Sequence, residues 1–381
     1  MNERRPAGVY VHVPFCRRRC PYCDFYFEIG KSTAGFVDGV ACELEARAAE
    51  LTWSASTLSF GGGTPSHLGV ADLAAIVDRV RAHGLVDGAE ISLEVNPEDV
   101  DDAFAAGLKA AGFTRVSVGM QSFDDGVLTW LGRAHDGARA TAAVQALVAV
   151  GLDVGVDFIV GVPGESATRL DLDLDRANAL GVVHISTYLL TVEAGTPLVQ
   201  LIKKGARAAV DEDVQATAYE RVAAIAAARG FGQYEVSSHA KPGHTSRHNR
   251  LYWGRGDYLG LGPGAHSFRI DDNGRAQRRH TTARLADWLL DPAAAAHDDE
   301  TLEPEHAFRE AVAFGLRDLD AGVDVERLAH LHQTVVPVDV ARTLSTAIAR
   351  GDVVGTTPVF GLTMQGARFA DRVARDVLGG P

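Results

Sequence analysis

The sequence predicts an α/β protein: a run of parallel βα units, an extension of that run, and a smaller, mainly helical C-terminal module. Three observations predict it. Strand-like and helical stretches alternate six times between Val9 and Pro197, which demands a parallel sheet with helices on its outer face. Glycine-rich turns and single polar residues fall at the carboxyl ends of those strands, where ligands of α/β folds bind. From His306 onward the pattern is helical, with two short strands near the end. Six units are fewer than a closed eight-stranded barrel needs.

A chain of 381 residues can bury a sizeable core and hold one large domain plus a smaller one. The net charge of −13 argues against a general nucleic-acid binder. No apolar run is long enough to span a membrane, and the start has no segment of signal-peptide type. A cytoplasmic location is the expectation, and clustered thiols agree with a reducing compartment.

Val9 to Val13 is the first strand. It leads into Cys16-Arg17-Arg18-Arg19-Cys20-Pro21-Tyr22-Cys23, which packs three of the chain's four cysteines into eight residues. Thiolates so spaced can converge on one soft metal centre. A single zinc ion asks for four ligands, and no Cys or His in the next few residues supplies a fourth. Phe25 stands where a further cysteine could fall. Three ligands on a four-iron cluster leave one iron open to a substrate. Free thiols or an incidental grouping are the plainer readings. Arg17 to Arg19 read as a solvated turn or as a docking point for an acidic electron donor.

Gly35 to Leu51 is the first helix and carries Cys42 as a small buried residue. The strand Thr57–Phe60 runs into Gly61-Gly62-Gly63-Thr64-Pro65, where glycines permit close backbone approach to a ligand. Helix Gly69–Ala82 and strand Glu90–Val95 follow, and Glu94 at the strand end points into the crevice above the sheet. Next come helix Val100–Ala111, strand Arg115–Gly119, Gln121 in Met120-Gln121-Ser122-Phe123, and Arg133 in Leu131-Gly132-Arg133-Ala134-His135. His135 reads as the start of a helix, a cap or surface residue. Helix Ala138–Val150 precedes strand Leu152–Val160, which carries Asp157. Helix Ala167–Leu180 and strand His184–Leu190 complete the run.

Ala206 to Ala228 reads as one long helix. The stretch from Tyr234 to Ser267 combines His239, His244, His248 and His266 with paired aromatics and glycines. Such chemistry suits a flat, polarisable ligand held by stacking and by an imidazole on iron. On composition alone, a glycine-rich cap with buried aromatics is favoured. Gln277 to Leu290 reads as a small strand and a helix, and Pro292 to His297 as an Ala-rich linker. The acidic run Asp298–Glu305 opens the last module, with helices at Ala307–Leu316, Val325–His332 and Pro337–Ala349. Strands Val353–Thr357 and Phe360–Thr363 and helix Gly366–Val377 complete a winged-helix-like pattern. The expected divisions are 1–200, 201–292 and 298–381.

CxxxCxxC after a first strand resembles the radical S-adenosylmethionine (SAM) proteins. The flanks Tyr10-Val11-His12-Val13-Pro14-Phe15 and Asp24-Phe25, and the ordered GGGTP, EVNP and GMQSF segments, resemble its HemN/HemW branch. That resemblance implies a partial, six-stranded (βα) barrel. It implies a [4Fe-4S] cluster on Cys16, Cys20 and Cys23, whose open iron chelates the amino and carboxylate groups of SAM. In the family, electron transfer to SAM yields a deoxyadenosyl radical. It implies SAM contacts at Tyr10, Gly62, Gly63, Thr64, Glu94, Gln121, Arg133 and Asp157. His248-Asn249 followed by Tyr252-Trp253 matches an HNxxYW pattern associated with heme, and His248 is the expected heme contact. The expected function is a heme chaperone that passes heme to acceptor hemoproteins, respiratory ones among them. The alternatives are oxidative decarboxylation of coproporphyrinogen III, or another radical reaction on a tetrapyrrole. Phe25 in place of the dehydrogenase branch's extra cysteine, and the few residues before the first strand, favour the chaperone. The resemblance further suggests a flavodoxin- or bacterioferritin-like electron donor and a homodimer.

Overall fold

The computed structural model describes residues 6–50 and 54–379. Six strands pair in parallel and in chain order: β1 (Ala7–Val13) and, beyond the short β2 (Phe15–Cys16) and β3 (Glu28–Ile29), β4 (Ala55–Gly62), β5 (Leu85–Val95), β6 (Arg115–Gln121), β7 (Asp153–Val160) and β8 (His184–Leu189). In β1, Val9, Val11 and Val13 face the helix layer and are fully buried. Gly8, Tyr10 and His12 therefore face the other way, into the barrel.

Helices α1 (Phe36–Arg47), α2 (Val70–Ala82), α3 (Asp102–Ala110), α4 (Asp125–Leu131), α5 (Gly137–Ala149) and α6 (Ala167–Ala179) fill the connections. Their starts are set by side chains that accept from otherwise unpaired amides: Asp101 for α3, Asp124 for α4, Asp136 for α5 and Ser166 for α6. Buried Ala140, Ala143, Val144 and Leu147 let α5 lie close on the sheet, within one core that runs from Val9 to Trp288. The first helix stops at Arg47 and continues as a 3-10 turn to Glu50; Leu51 lies outside the described residues.

The extension differs from expectation in two places. The helix expected over 206–228 is α8 (Glu212–Ala228), preceded by a separate α7 (Pro197–Lys203). Gly205 at φ 70° breaks the chain direction, and Asp211 caps α8 by accepting from Asp213 and Val214. Then follow β9 (Gly232–Glu235), β10 (Ser238–Ala240), α9 (Arg247–Trp253), β11 (Asp257–Leu261), β12 (His266–Ile270), β13 (Ala276–Thr281), α10 (Leu285–Leu290) and β14 (His297–Leu302). One sheet results, in the order β14-β13-β12-β11-β1-β4-β5-β6-β7-β8-β10-β9. The acidic run expected to open the C-terminal module is instead mostly the edge strand β14. Its charges stand in solvent and meet arginines on β13, with Arg279 against Asp299 at 3.0 Å and Arg278 against Glu300 at 2.5 Å. Charged edges also discourage pairing with another chain.

The last part has its own core, centred on Phe308, Val312, Leu328, Leu344 and Val377. It contains α11 (Pro304–Gly315), β15 (Val323–Asp324), α12 (Val325–Leu331), α13 (Val338–Ala349), β16 (Val353–Thr356), β17 (Val359–Leu362), α14 (Met364–Arg368) and α15 (Ala370–Leu378). Helices α11, α12 and α13 and a small sheet of order β15-β17-β16 give the winged-helix-like arrangement, which α14 and α15 follow. Helix α9 joins this module to the barrel. Trp253 stacks on Phe314 with ring centres 6.0 Å apart, and Arg255 on the following turn pairs with Glu310 at 2.7 Å. Among the described residues no helix is long and apolar enough to cross a membrane.

Candidate cofactor pocket at the carboxyl rim

The cysteine loop leaves β1 at Pro14 and returns along β3, pinned by the β2–β3 pair and by a turn from the Cys23 amide to the Cys20 carbonyl at 3.2 Å. It forms one wall of a cavity of about 570 Å³. The other walls come from the ends of five successive strands: Gly62 on β4, Glu94 on β5, Gln121 on β6, Asp157 on β7 and Tyr188 on β8. Laid flat at about 4.8 Å per strand, the first and last of these would stand roughly 19 Å apart. One cavity reaches all of them because the sheet curls into a partial barrel.

Cys16, Cys20 and Cys23 are half-buried free thiols on this cavity. Among the described residues no three ligand side chains close around a point as a single ion requires. Three thiols on one cavity wall are the donor set that a multi-iron cluster takes, one short of what a structural zinc ion takes. Burial pushes the Cys16 and Cys23 thiols up, while the Arg133 charge, and for Cys16 the contact with Thr64, act the other way. Cys16 Sγ lies 3.4 Å from Thr64 Oγ1, and Arg133 Nη1 donates to Cys20 Sγ at 3.4 Å.

Arg133 is held from several sides. Its Nη2 donates to Asn96 Oδ1 at 2.6 Å and to the Gly119 carbonyl at 2.7 Å. The planar fork is therefore already spent on protein. Its Nη1 reaches Cys20 and Tyr22, and its Nε is buried without a partner, so the guanidinium brings a positive charge to the cavity wall. Gly62 sits at φ 107°, and a Cβ there would lie 2.7 Å from the His12 ring; at Gly63 it would strike the Pro14 backbone at 2.8 Å. Only glycine lets this turn press against the loop that carries the thiols. Gln121 is a non-glycine residue at φ 68°, a strained conformation held on the cavity wall.

Glu94 lines the cavity with its side chain open to that space, and desolvation deep in the cavity, aided by the Asp157 charge, pushes its carboxyl up to about 8. Asp157 rises to about 6 through burial, opposed by hydrogen bonds from Ser186 and from Ser117 at 3.0 Å. Two carboxyls with separated proton affinities thus face one cavity.

Of the expected site residues, Cys16, Cys20, Cys23, Gly62, Gly63, Thr64, Glu94, Gln121, Arg133 and Asp157 share this cavity. Tyr10 does not line it. Tyr10 lies behind Gly61, where its ring and the Glu94 carboxylate both stand 3.1 Å from the position of the missing Cβ. Asn96, Tyr22 and Tyr188 line the cavity but were not singled out. Asn96 and Tyr22 lay within quoted motifs; Tyr188 carried only its place near a strand end. His135 is a correction: Asp136 caps α5, while the His135 ring is buried between Glu98 at 3.3 Å and the Met120 carbonyl at 3.0 Å.

His248, the expected heme contact, lies apart from the cavity. It is 3% exposed. One ring nitrogen exchanges a hydrogen bond with Thr57 Oγ1 at 2.8 Å and the other with Tyr252 Oη at 2.7 Å. Burial alone pulls it down to about 3, so the ring is neutral. Its amide donates to Glu90, and Tyr10 stacks above it at 6.4 Å. The motif helix is a plug inside the amino end of the barrel. A His248→Ala variant leaves Tyr252 and Thr57 short of partners and opens a void. Urea unfolding of the full chain should show a loss of about 2–4 kcal/mol.

The fold and the three-thiol pocket define a radical SAM protein, and the model of the radical SAM superfamily matches residues 10–177. The heme chaperone HemW of Mycobacterium tuberculosis (strain H37Rv) is 46% identical over 272 residues, 69% of this chain and 70% of that protein. That of Escherichia coli (strain K12) is 32% identical over 97% of both chains. The solved structure of coproporphyrinogen III oxidase (HemN) from Escherichia coli superposes with a TM-score of 0.81 over 98% of this chain and 90% of that one, at 20% identity, a likeness of fold. The chain belongs to the HemW family of radical SAM proteins.

Proposed function

We propose that the protein is a heme chaperone that binds heme and hands it to acceptor hemoproteins while its barrel carries a four-iron cluster and SAM. The observation that carries this reading is kinship along nearly the whole length with a protein named for that role. Phe25, 73% exposed on the cavity rim where the decarboxylating branch has a cysteine, supports it against coproporphyrinogen chemistry.

In this reading Cys16, Cys20 and Cys23 hold the cluster, which supplies an open iron and an electron to SAM when bound. Arg133 would lend its positive charge to the SAM carboxylate, Gly62 and Gly63 would leave room for its amino-acid end, and Asp157 would accept from ribose hydroxyls. Glu94 faces the cationic groups. Tyr10 positions Glu94 from behind. Tyr22, Leu190 and Phe27 exclude water from the cavity. An acidic electron donor docks at Arg18 and Arg19, since Arg17 is already committed to Asp99 at 2.7 Å. The winged-helix-like module, tied to the barrel through Trp253, closes the acceptor side.

The test loads the cluster-reconstituted protein with hemin under anaerobic conditions and adds an apo-hemoprotein in excess. Heme should move to the acceptor faster than from free hemin-loaded albumin. Turnover of coproporphyrinogen III with SAM and a reductant, with no transfer, would sink the chaperone reading.

A further inference from the structure

Heme iron held through a histidine needs an imidazole nitrogen with an open lone pair, and His248 offers none. Two other inward-facing rings are also spent, and His239, whose ring nitrogens have no partner, is 1% exposed and does not line the cavity. His184 pairs with Tyr234 at 2.9 Å, and His12 is buried with Nε2 against the Tyr26 carbonyl at 3.2 Å.

His266 and His280 differ. They face each other directly across the β12–β13 ladder, with ring centres 4.2 Å apart and planes within 11°. Neither ring has a hydrogen bond to another described residue, and His266 is exposed while His280 is half-buried. Strand register places them on the barrel-facing side. Gly8 pairs with Tyr258, Tyr258 with Phe268, and His266 lies two residues from Phe268, so all share the face of Tyr10 and His12. Chain direction places them at the carboxyl rim, since β12 starts where β11 has just ended.

The segment after the cysteine loop links this rim to the cavity. Tyr26 stacks on His12 at 6.0 Å and stands 3.0 Å from where a Cβ at Gly264 would lie. On either side of Tyr26, Phe25 and Ile29 expose 73% and 45% of their surface, an apolar border for a flat ring.

A bare divalent ion would want further ligands, and among the described residues no third one joins the pair. An iron already held by four porphyrin nitrogens needs only one more. We propose that His266, backed by His280, is the ligand through which the protein holds heme iron. This rests on the chaperone reading and assigns its binding site. A single exposed imidazole also suits a cargo that must leave.

The experiment is an anaerobic hemin titration of the cluster-reconstituted full chain, followed by its Soret band and electron paramagnetic resonance. Wild type, His266→Ala, His280→Ala and the double variant are compared, each with its cluster iron content measured as a folding control. The expected result is saturable binding by wild type, with the imidazole signature lost and affinity lowered by about tenfold or more in His266→Ala and the double variant. Added imidazole should restore the signature. Wild-type affinity and signature in the double variant would overturn the assignment and leave the chaperone reading standing. Absence of saturable binding by wild type would overturn both.

Discussion

Replacing Cys20 by serine should strip the protein of its cluster iron while leaving it folded. Two thiols then remain on the cavity wall. Cys42, the other cysteine, is exposed on α1 and does not line the cavity. Phe25 offers no sulfur where a substitute could fall. The loop itself is held by backbone, through β2–β3 and the turn that joins the Cys20 carbonyl to the Cys23 amide, and neither needs the side chain. The substitution also removes the sulfur that Arg133 Nη1 addresses, so the guanidinium loses one of the contacts that hold it on the cavity wall. After anaerobic reconstitution, iron and sulfide per chain should fall by about tenfold or more, and SAM retention on equilibrium dialysis should fall with them. Circular dichroism and the thermal transition should stay close to wild type. Full iron content in this variant would mean that the cavity is not the cluster site.

Much of this pocket was legible because its parts are local. A strand end, a glycine turn and a carboxylate at a fixed place in successive βα units are short-range patterns, and the parallel sheet then delivers them to one rim. What the sequence hid depends on contacts between distant segments. His248 reads as an available imidazole until the fold brings Thr57, 191 residues away, and Glu90, 158 away, against it. His135 looks like a polar loop residue until Glu98 and Met120 close over it. Arg133 advertises a fork for a ligand, but Asn96 and Gly119 take its Nη2 first, and Cys20 and Tyr22 take its Nη1. The acidic run at 298–305 reads as a boundary because an edge strand with every charge in solvent has no apolar alternation to betray it. The break before α8 rested on one glycine and one aspartate inside a stretch of high helix propensity. His266 and His280 were separable in sequence, and only antiparallel register makes them a pair.

The protonation of Glu94 gives the other large expected effect. Without ligand its carboxyl sits at about 8, so at pH 7 it mostly carries a proton; Asp157, at about 6, mostly does not. A ligand that brings an ammonium or sulfonium into the cavity favours the ionised form of Glu94, and binding must expel that proton. Calorimetric titration of SAM at pH 7, repeated in buffers of different ionisation enthalpy, should therefore show release approaching about one proton per SAM bound. At pH 9 the release should largely vanish, because the group is already ionised. Glu94→Gln should abolish the release at pH 7 and weaken SAM by about tenfold or more, since a neutral amide leaves the cation without a counter-charge. Stability carries the same signature with the opposite demand. The folded value lies above the ordinary 4.5, so the folded apo chain binds this proton more tightly than the unfolded chain does. That contribution is fully present below about 4.5 and is lost as pH rises through about 8. The unfolding free energy of the apo protein should fall across that window, and the Gln variant should lack this part of the slope. Unchanged proton release in Glu94→Gln would locate the titrating group elsewhere, with Asp157 the next carboxyl to test by the same pair of measurements.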